Sequence, residues 1–188
     1  MISEVREHAK YERLVAATKG LPGLRTAVAH PCDEASLTGA MEAAEAGIIA
    51  PVLVGPEDKI RKLAKSLDLD IGAAQVVDVP HSQAAAEKAV AIVRAGEAEL
   101  LMKGSLHSDE LLAEVTKRDT GLRTGRRISH VFVMDVPSHP QTLFITDAAV
   151  NIAPDLTAKR DIIQNAVDLY AGLGLGMPKV AILSAVET

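Results

Sequence analysis

Aromatic residues are nearly absent from this 188-residue chain: Tyr11, Phe132, Phe144 and Tyr170 make up 2% of it, and there is no tryptophan. Any core must therefore be aliphatic. Binding of single-stranded nucleic acid relies on aromatic stacking in a basic groove. Neither component is present, because 20 Lys+Arg face 25 Asp+Glu and the net charge is −5. A lone cysteine, Cys32, excludes an internal disulfide and any multi-cysteine metal site, and it makes a reducing, cytoplasmic compartment the expectation.

Long apolar runs are missing as well. The longest near-apolar stretch, Ala46 to Gly55, is interrupted by Pro51 and is far too short to span a bilayer. The start, MISEVREHAKYER, is charged from Glu4 onward and does not read as a signal peptide. What is present is ordinary globular composition, 48% hydrophobic and 24% charged, enough for a core without covalent staples.

Strand-like and helix-like stretches alternate. Arg25–His30 reads as a strand stopped by Pro31, and Asp33 caps a helix to about Ala46 with Leu37, Met41 and Ala44 on one face. Ile48–Val54 is a second strand, and Pro56 suits the first turn of a helix Glu57–Leu67. Ala74–Val79 is a third strand, followed by an Ala-rich helix from Ser82 to Ala95 that Gly96 ends. Leu100–Met102 is a short strand, and Ser108 is placed to cap a helix Asp109–Lys117. Ile128–Val136 and Thr142–Asp147 are β-rich, and the Pro137–Pro140 link suggests an antiparallel hairpin. A helix from about Ala158 to Leu173 and an apolar strand Lys179–Ser184 complete the pattern. That last strand reads as a central one in need of neighbours, to be supplied by sequence after Thr188 or by a partner chain.

Such alternation implies an α/β fold with three layers: a mostly parallel sheet with helices on both faces. Ligands bind these sheets outside the carboxyl ends of the strands. That directs attention to His30–Asp33, Lys103–Ser108 and Asp147–Asn151.

Several motifs have two readings. Gly172, Gly174 and Gly176 spell G-x-G-x-G but follow a helix and precede a strand, the reverse of a dinucleotide fingerprint, so they read as a helix stop. His30 and His107 sit at strand ends and His130 inside a strand; no pair has an i, i+4 ligand spacing, and no metal is expected. Cys32 is either a small buried residue or a nucleophile. The sharpest cluster is Lys103-Gly104-Ser105-Leu106-His107-Ser108, between a buried strand and a helix start. Outward N–H groups, the lysine charge, the side-chain donors and a glycine that permits close approach suit an anion; an N-cap beside a surface lysine explains the same residues. Arg123, Arg126 and Arg127 are a solvated loop or phosphate ligands. Asp147 is a cap or a polar group at the cleft.

LLMKGSLHSDELL (Leu100–Leu112), RTGRRISHVFVMDVP (Arg123–Pro137), FITDAAVNIAPDL (Phe144–Leu156) and KVAILSAVET (Lys179–Thr188), with AHPCDEASL (Ala29–Leu37), together resemble the phosphate acetyl- and butyryltransferases, most closely the butyryltransferase-like branch, including forms fused behind a hydratase-like domain. The resemblance runs from about Arg25 to the last residue. It implies transfer of an acyl group between coenzyme A and inorganic phosphate, with acyl-CoA as a substrate, no permanently bound cofactor and no metal. It implies an isocitrate/isopropylmalate dehydrogenase-like fold of two α/β domains: a first over residues 1–138 that lacks its C-terminal return, and an incomplete second over residues 139–188. Lys103, Gly104, Ser105, His107, Ser108, Arg123 and Asp147 are the expected phosphate and coenzyme A contacts, with Lys103 and Arg123 supplying positive potential.

The chain departs from the family pattern in two ways. Family members are longer, and the serine, arginine and aspartate tied to coenzyme A binding and base catalysis are expected beyond Thr188. The arginine that acetyl-type members carry after the serine–histidine cluster is replaced by Leu111-Leu112-Ala113-Glu114. The resemblance therefore implies a homodimer with little activity in 188 residues. Its competing reading is a non-catalytic acyl-CoA-sensing domain.

Overall fold

Short apolar runs that stop at glycine or proline become strands, and the amphipathic stretches between them become helices. The computed structural model describes residues 9–183. In chain order the elements are α1 (Ala9–Ala17), β1 (Leu24–Ala29), α2 (Glu34–Glu45), β2 (Ile49–Gly55), α3 (Glu57–Ser66), β3 (Gln75–Asp78), α4 (Ser82–Arg94), β4 (Leu100–Lys103), α5 (Ser108–Val115), β5 (Phe132–Met134), β6 (Leu143–Ile145) and α6 (Leu156–Gly172). The described residues form two compact units: Lys19–Arg123, and the residues before 19 together with those after 123.

The Lys19–Arg123 unit is a four-stranded, wholly parallel sheet in the order β3-β2-β1-β4. Successive residues of a strand point to opposite faces, and the burial follows. Ala27, Ala29, Val52 and Val54 pack against Ala85, Ala86, Ala89 and Val90 of α4. Val28 and Leu53 pack the other way, against Leu37 and Ala40 of α2 and Ile60 and Ala64 of α3. Helices therefore cover both faces, as the alternation predicts. Fully burying a Val, Leu or Ile contributes about 1.5–3 kcal/mol, so the aliphatic core holds this unit without aromatics. The N-caps follow the sequence at Asp33, which accepts from Ser36 N–H at 2.9 Å. They differ by one position at two helices. Pro56 is itself the N-cap of α3. His107, not Ser108, is the N-cap of α5, and its N–H donates to Glu110 Oε2 at 3.1 Å.

The other unit is built around β5 and β6, an antiparallel pair with Phe132 opposite Ile145 and Met134 opposite Leu143. Helix α6 is capped by Asp155, which accepts from Ala158 N–H at 2.7 Å, and its Tyr170 meets Phe144 edge-on at 5.0 Å. Helix α1, which the sequence did not signal, belongs here. Its first-turn Lys10 and Tyr11 N–H groups donate to Asp135 Oδ2 at 3.1 and 2.9 Å, and Lys10 Nζ reaches Oδ1 at 3.0 Å. The Tyr11 donor, outweighing the cost of desolvation, holds the Asp135 carboxyl below its usual range.

Two expectations are corrected. The strand Ile128–Val136 shortens to Phe132–Met134, leaving His130 outside it. Side chains take the intervening backbone groups: Asp147 accepts from His130 N–H, Thr146 Oγ1 donates to His130 O, and Asn151 donates to Ile128 O. Lys179–Leu183 is no strand, because no neighbour among the described residues pairs with it, and Ile182 and Leu183 are exposed; Ser184 lies outside the described residues. Among the described residues, no helix is long and apolar enough to cross a membrane.

Candidate functional site

In a sheet ordered β3-β2-β1-β4, the first two crossovers run to one side of β1 and the third to the other. The connections leaving β1 and β4 therefore diverge, and a crevice opens at the carboxyl ends of these two strands. His30 follows β1 there, and Gly104 and Ser105 follow β4. The two turns are tied together: Gly104 N–H donates to Ala29 O at 2.9 Å and Ser105 N–H to His30 O at 2.8 Å. His30 has φ of +56°, the left-handed region that histidine visits more readily than most residues. Gly104 cannot be replaced freely, because a Cβ there would lie 2.5 Å from His30 O.

The side chains extend the tie. Ser105 Oγ donates to His30 O at 2.9 Å, lies 3.1 Å from His30 Nδ1, and accepts from Cys32 N–H at 3.2 Å. Burial, reinforced by the ammonium of Lys59, pushes the His30 pKa down, so the ring is neutral near pH 7. Burial pushes the Cys32 thiol up, which favours the small buried residue over the nucleophile. Asp33 is held low by the Ser36 hydroxyl and N–H. Beside Cys32 an open depression of about 510 Å³ is lined by Pro56, Asp58, Lys59, Lys62, Leu63 and Ser66. The charges acting on the His30 ring are the Lys59 ammonium and the Glu110 and Asp33 carboxylates, while Lys103 Nζ turns back to Gly104 O at 3.2 Å.

Of the residues named from sequence, Lys103, Gly104, Ser105, His107 and Ser108 fall together in the β4–α5 turn, with Lys103, His107 and Ser108 exposed. The Ser105 hydroxyl is shared between His30 and Cys32 as described. Arg123 is exposed at the end of the same unit. In the other unit, Arg126 is paired with Asp168 at 2.5 Å, and Arg127 N–H donates to Asp161 at 3.1 Å. Asp147 also belongs to that unit, where it organises its own loop. Its carboxylate accepts from His130, Val150 and Asn151 N–H at 2.9, 3.3 and 2.8 Å and from the Asn151 side chain. Desolvation pulls its pKa upward, but these donors outweigh it and the net shift is down. No sequence signal marks Lys59, which approaches the crevice through the packing of α3 on the sheet. His30 is visible in the sequence only as a strand-end histidine.

A family model described as "Phosphate acetyl/butaryl transferase" matches residues 81–188, and the chain belongs to the phosphate acetyl/butyryltransferase family. It is 66% identical over 180 residues to a phosphate acetyltransferase of Rhizobium meliloti, covering 96% of this chain and 57% of that protein. It is 36% identical over 177 residues to a phosphate butyryltransferase of Clostridium beijerinckii, covering 94% and 59%. Among solved structures, a branched-chain phosphotransacylase from Enterococcus faecalis V583 superposes with a TM-score of 0.69 at 26% identity, over 88% of this chain and 57% of that one. The chain spans a little over half the length of these relatives.

Proposed function

We propose that the protein to which this chain belongs transfers an acyl group between coenzyme A and inorganic phosphate, acyl-CoA plus phosphate giving acyl phosphate plus coenzyme A. The observation that carries this reading is the tied pair of turns at the carboxyl ends of β1 and β4, where Gly104, Ser105 and His30 meet beside Lys103, in a chain of this family. Lys103, the backbone of Gly104 and Ser105, His107, Ser108 and Arg123 hold phosphate or the thioester end. Positive charge placed where negative charge accumulates in the transition state lowers the barrier, and holding both substrates together lowers it further. The isocitrate/isopropylmalate dehydrogenase-like pairing of two α/β domains, with the second beginning near residue 139, belongs to the same proposal. So do a homodimer and a cytoplasmic location. Asp147 acts by shaping its loop.

The test is thiol release from acetyl-CoA and butyryl-CoA in the presence of inorganic phosphate, measured on the full-length gene product and on its His107→Ala variant. Phosphate-dependent release that falls by tenfold or more in the variant supports the reading. Coenzyme A binding with no acyl phosphate formed overturns it in favour of acyl-CoA sensing.

A further inference from the structure

The hydrogen bonds around Ser105 determine more than a loop conformation. A hydroxyl has one hydrogen to donate and lone pairs to accept with. His30 O accepts from the Ser105 and Cys32 N–H groups at 2.8 Å each and from the Ser105 hydroxyl at 2.9 Å, the shorter of that hydroxyl's two possible acceptor contacts; His30 Nδ1, at 3.1 Å, is the other. With the hydrogen on His30 O, Oγ accepts from the Cys32 N–H, forked between it at 3.2 Å and His30 O at 2.8 Å, and His30 Nδ1 faces Oγ at 3.1 Å as a donor. In a neutral imidazole the other nitrogen, Nε2, is then a bare acceptor. Nε2 makes no hydrogen bond to protein among the described residues. The left-handed backbone of His30 keeps the ring at the strand end, and a residue held in that region at a ligand crevice is a common mark of function.

We propose that His30, held in its Nδ1–H form by Ser105, presents Nε2 as the hydrogen-bond acceptor for the P–OH proton of bound hydrogen phosphate. This rests on the phosphate-transfer reading of the same crevice. Lysine ammonium groups recognise the charged oxygens of an anion but cannot accept its proton. An unprotonated imidazole near the Lys59 ammonium completes the recognition. Engaging the single P–OH also leaves the unprotonated oxygens turned away from His30, where one of them is free to attack. Three charged groups act on the ring from the elements packed around it: Lys59 of α3 opposes its protonation, while Glu110 of α5 and Asp33 ahead of α2 favour it. The ring stays neutral because burial and Lys59 prevail. Ser105 is a positioning residue in this scheme, acting through His30.

The experiment uses the 188-residue chain, labelled with nitrogen-15, and inorganic phosphate as the probe. Long-range proton–nitrogen spectra at pH 7.5 should show His30 as the Nδ1–H tautomer. Phosphate should then shift the Nε2 resonance in a saturable way. His30→Asn is the discriminating variant, because asparagine tolerates the left-handed backbone and its amide still donates to Ser105. It should weaken phosphate binding about tenfold, as expected for one lost hydrogen bond to a charged ligand. Ser105→Ala should leave the fold intact but move the titration midpoint of the His30 ring. An Nε2–H tautomer, an Nε2 resonance silent to phosphate, or unchanged phosphate affinity in His30→Asn overturns the proposal. Its fate separates from that of acyl transfer. A phosphate-linked Nε2 shift in a gene product that releases no thiol removes the acyltransferase reading alone, whereas thiol release undiminished by His30→Asn removes the His30 role alone.

Discussion

Replacing Gly104 by alanine probes the join between β1 and β4. The new Cβ would stand 2.5 Å from His30 O and 2.6 Å from its carbonyl carbon, with Ala29 O closer still. Non-bonded heavy atoms pack at about 3.5–4.0 Å, so the strand ends must part by about 1 Å. No side chain can rotate to absorb this, because every obstructing atom is backbone. The bonds from Gly104 N–H to Ala29 O and from Ser105 N–H to His30 O, 2.9 and 2.8 Å long, are stretched in the process. Overpacking costs about 1–3 kcal/mol and a weakened buried hydrogen bond about 1 kcal/mol more, so a loss of roughly 3 kcal/mol is expected. At about 4 °C per kcal/mol for a unit of this size, the melting transition of the Lys19–Arg123 unit should fall by about 12 °C. Gly39→Ala is the matched control. Gly39 lies inside α2, and a methyl group added there would have nothing within 4 Å, so alanine should stabilise by up to about 1 kcal/mol. Circular dichroism melts of the two variants decide the matter. A Gly104→Ala protein melting within about 2 °C of the parent would refute the claim that the two turns are locked.

Asp135→Ala should release α1, read as loss of hydrogen-exchange protection at the Lys10 and Tyr11 amides while the amides of β1 and β2 are unchanged. The Asp135 carboxyl is held below its ordinary value, about 3.9. Its contribution is therefore present above that pH and is lost as the pH falls through the lowered value, so acid should unprotect the same two amides in the parent. Protection that persists in the variant would count against the cap. Asp147→Ala should speed exchange at His130, Val150 and Asn151, whose N–H groups it accepts. Because its pKa is also lowered, the parent loop should loosen only below about pH 4; equal exchange rates in parent and variant would show that the carboxylate does not organise the loop.

The sheet of the Lys19–Arg123 unit was legible because its signals are local. Each strand is an apolar run closed by a proline, a glycine or a polar turn, and α2 starts at an aspartate three residues before the amide it caps. Helix α1 was not legible, because the carboxylate that caps it is at position 135. Ile128–Val136 has strand composition throughout. Yet a strand needs a neighbour's backbone, and at Ile128 and His130 the neighbours are side chains of Asn151, Thr146 and Asp147. Lys179–Leu183 fails as a strand on the same ground. At the crevice, the Lys103–Ser108 motif was visible as a glycine, hydroxyls and a charge before a helix. The link from Ser105 to His30 was not, since only the parallel pairing of β1 with β4 brings residues 30 and 105 together.

The cap on α1 has a consequence for how the chain is made. Lys10 leaves the ribosome long before Asp135, which lies 125 residues further along the chain. At about 5–20 residues per second, the two are separated by roughly 6–25 s of synthesis. During that interval every strand and helix of the Lys19–Arg123 unit emerges. A nascent chain therefore has time to complete this unit while α1, with no buried residue, waits for its partner. Short isolated helices are marginal in water, so α1 should order after the Lys19–Arg123 unit although it is synthesised before it.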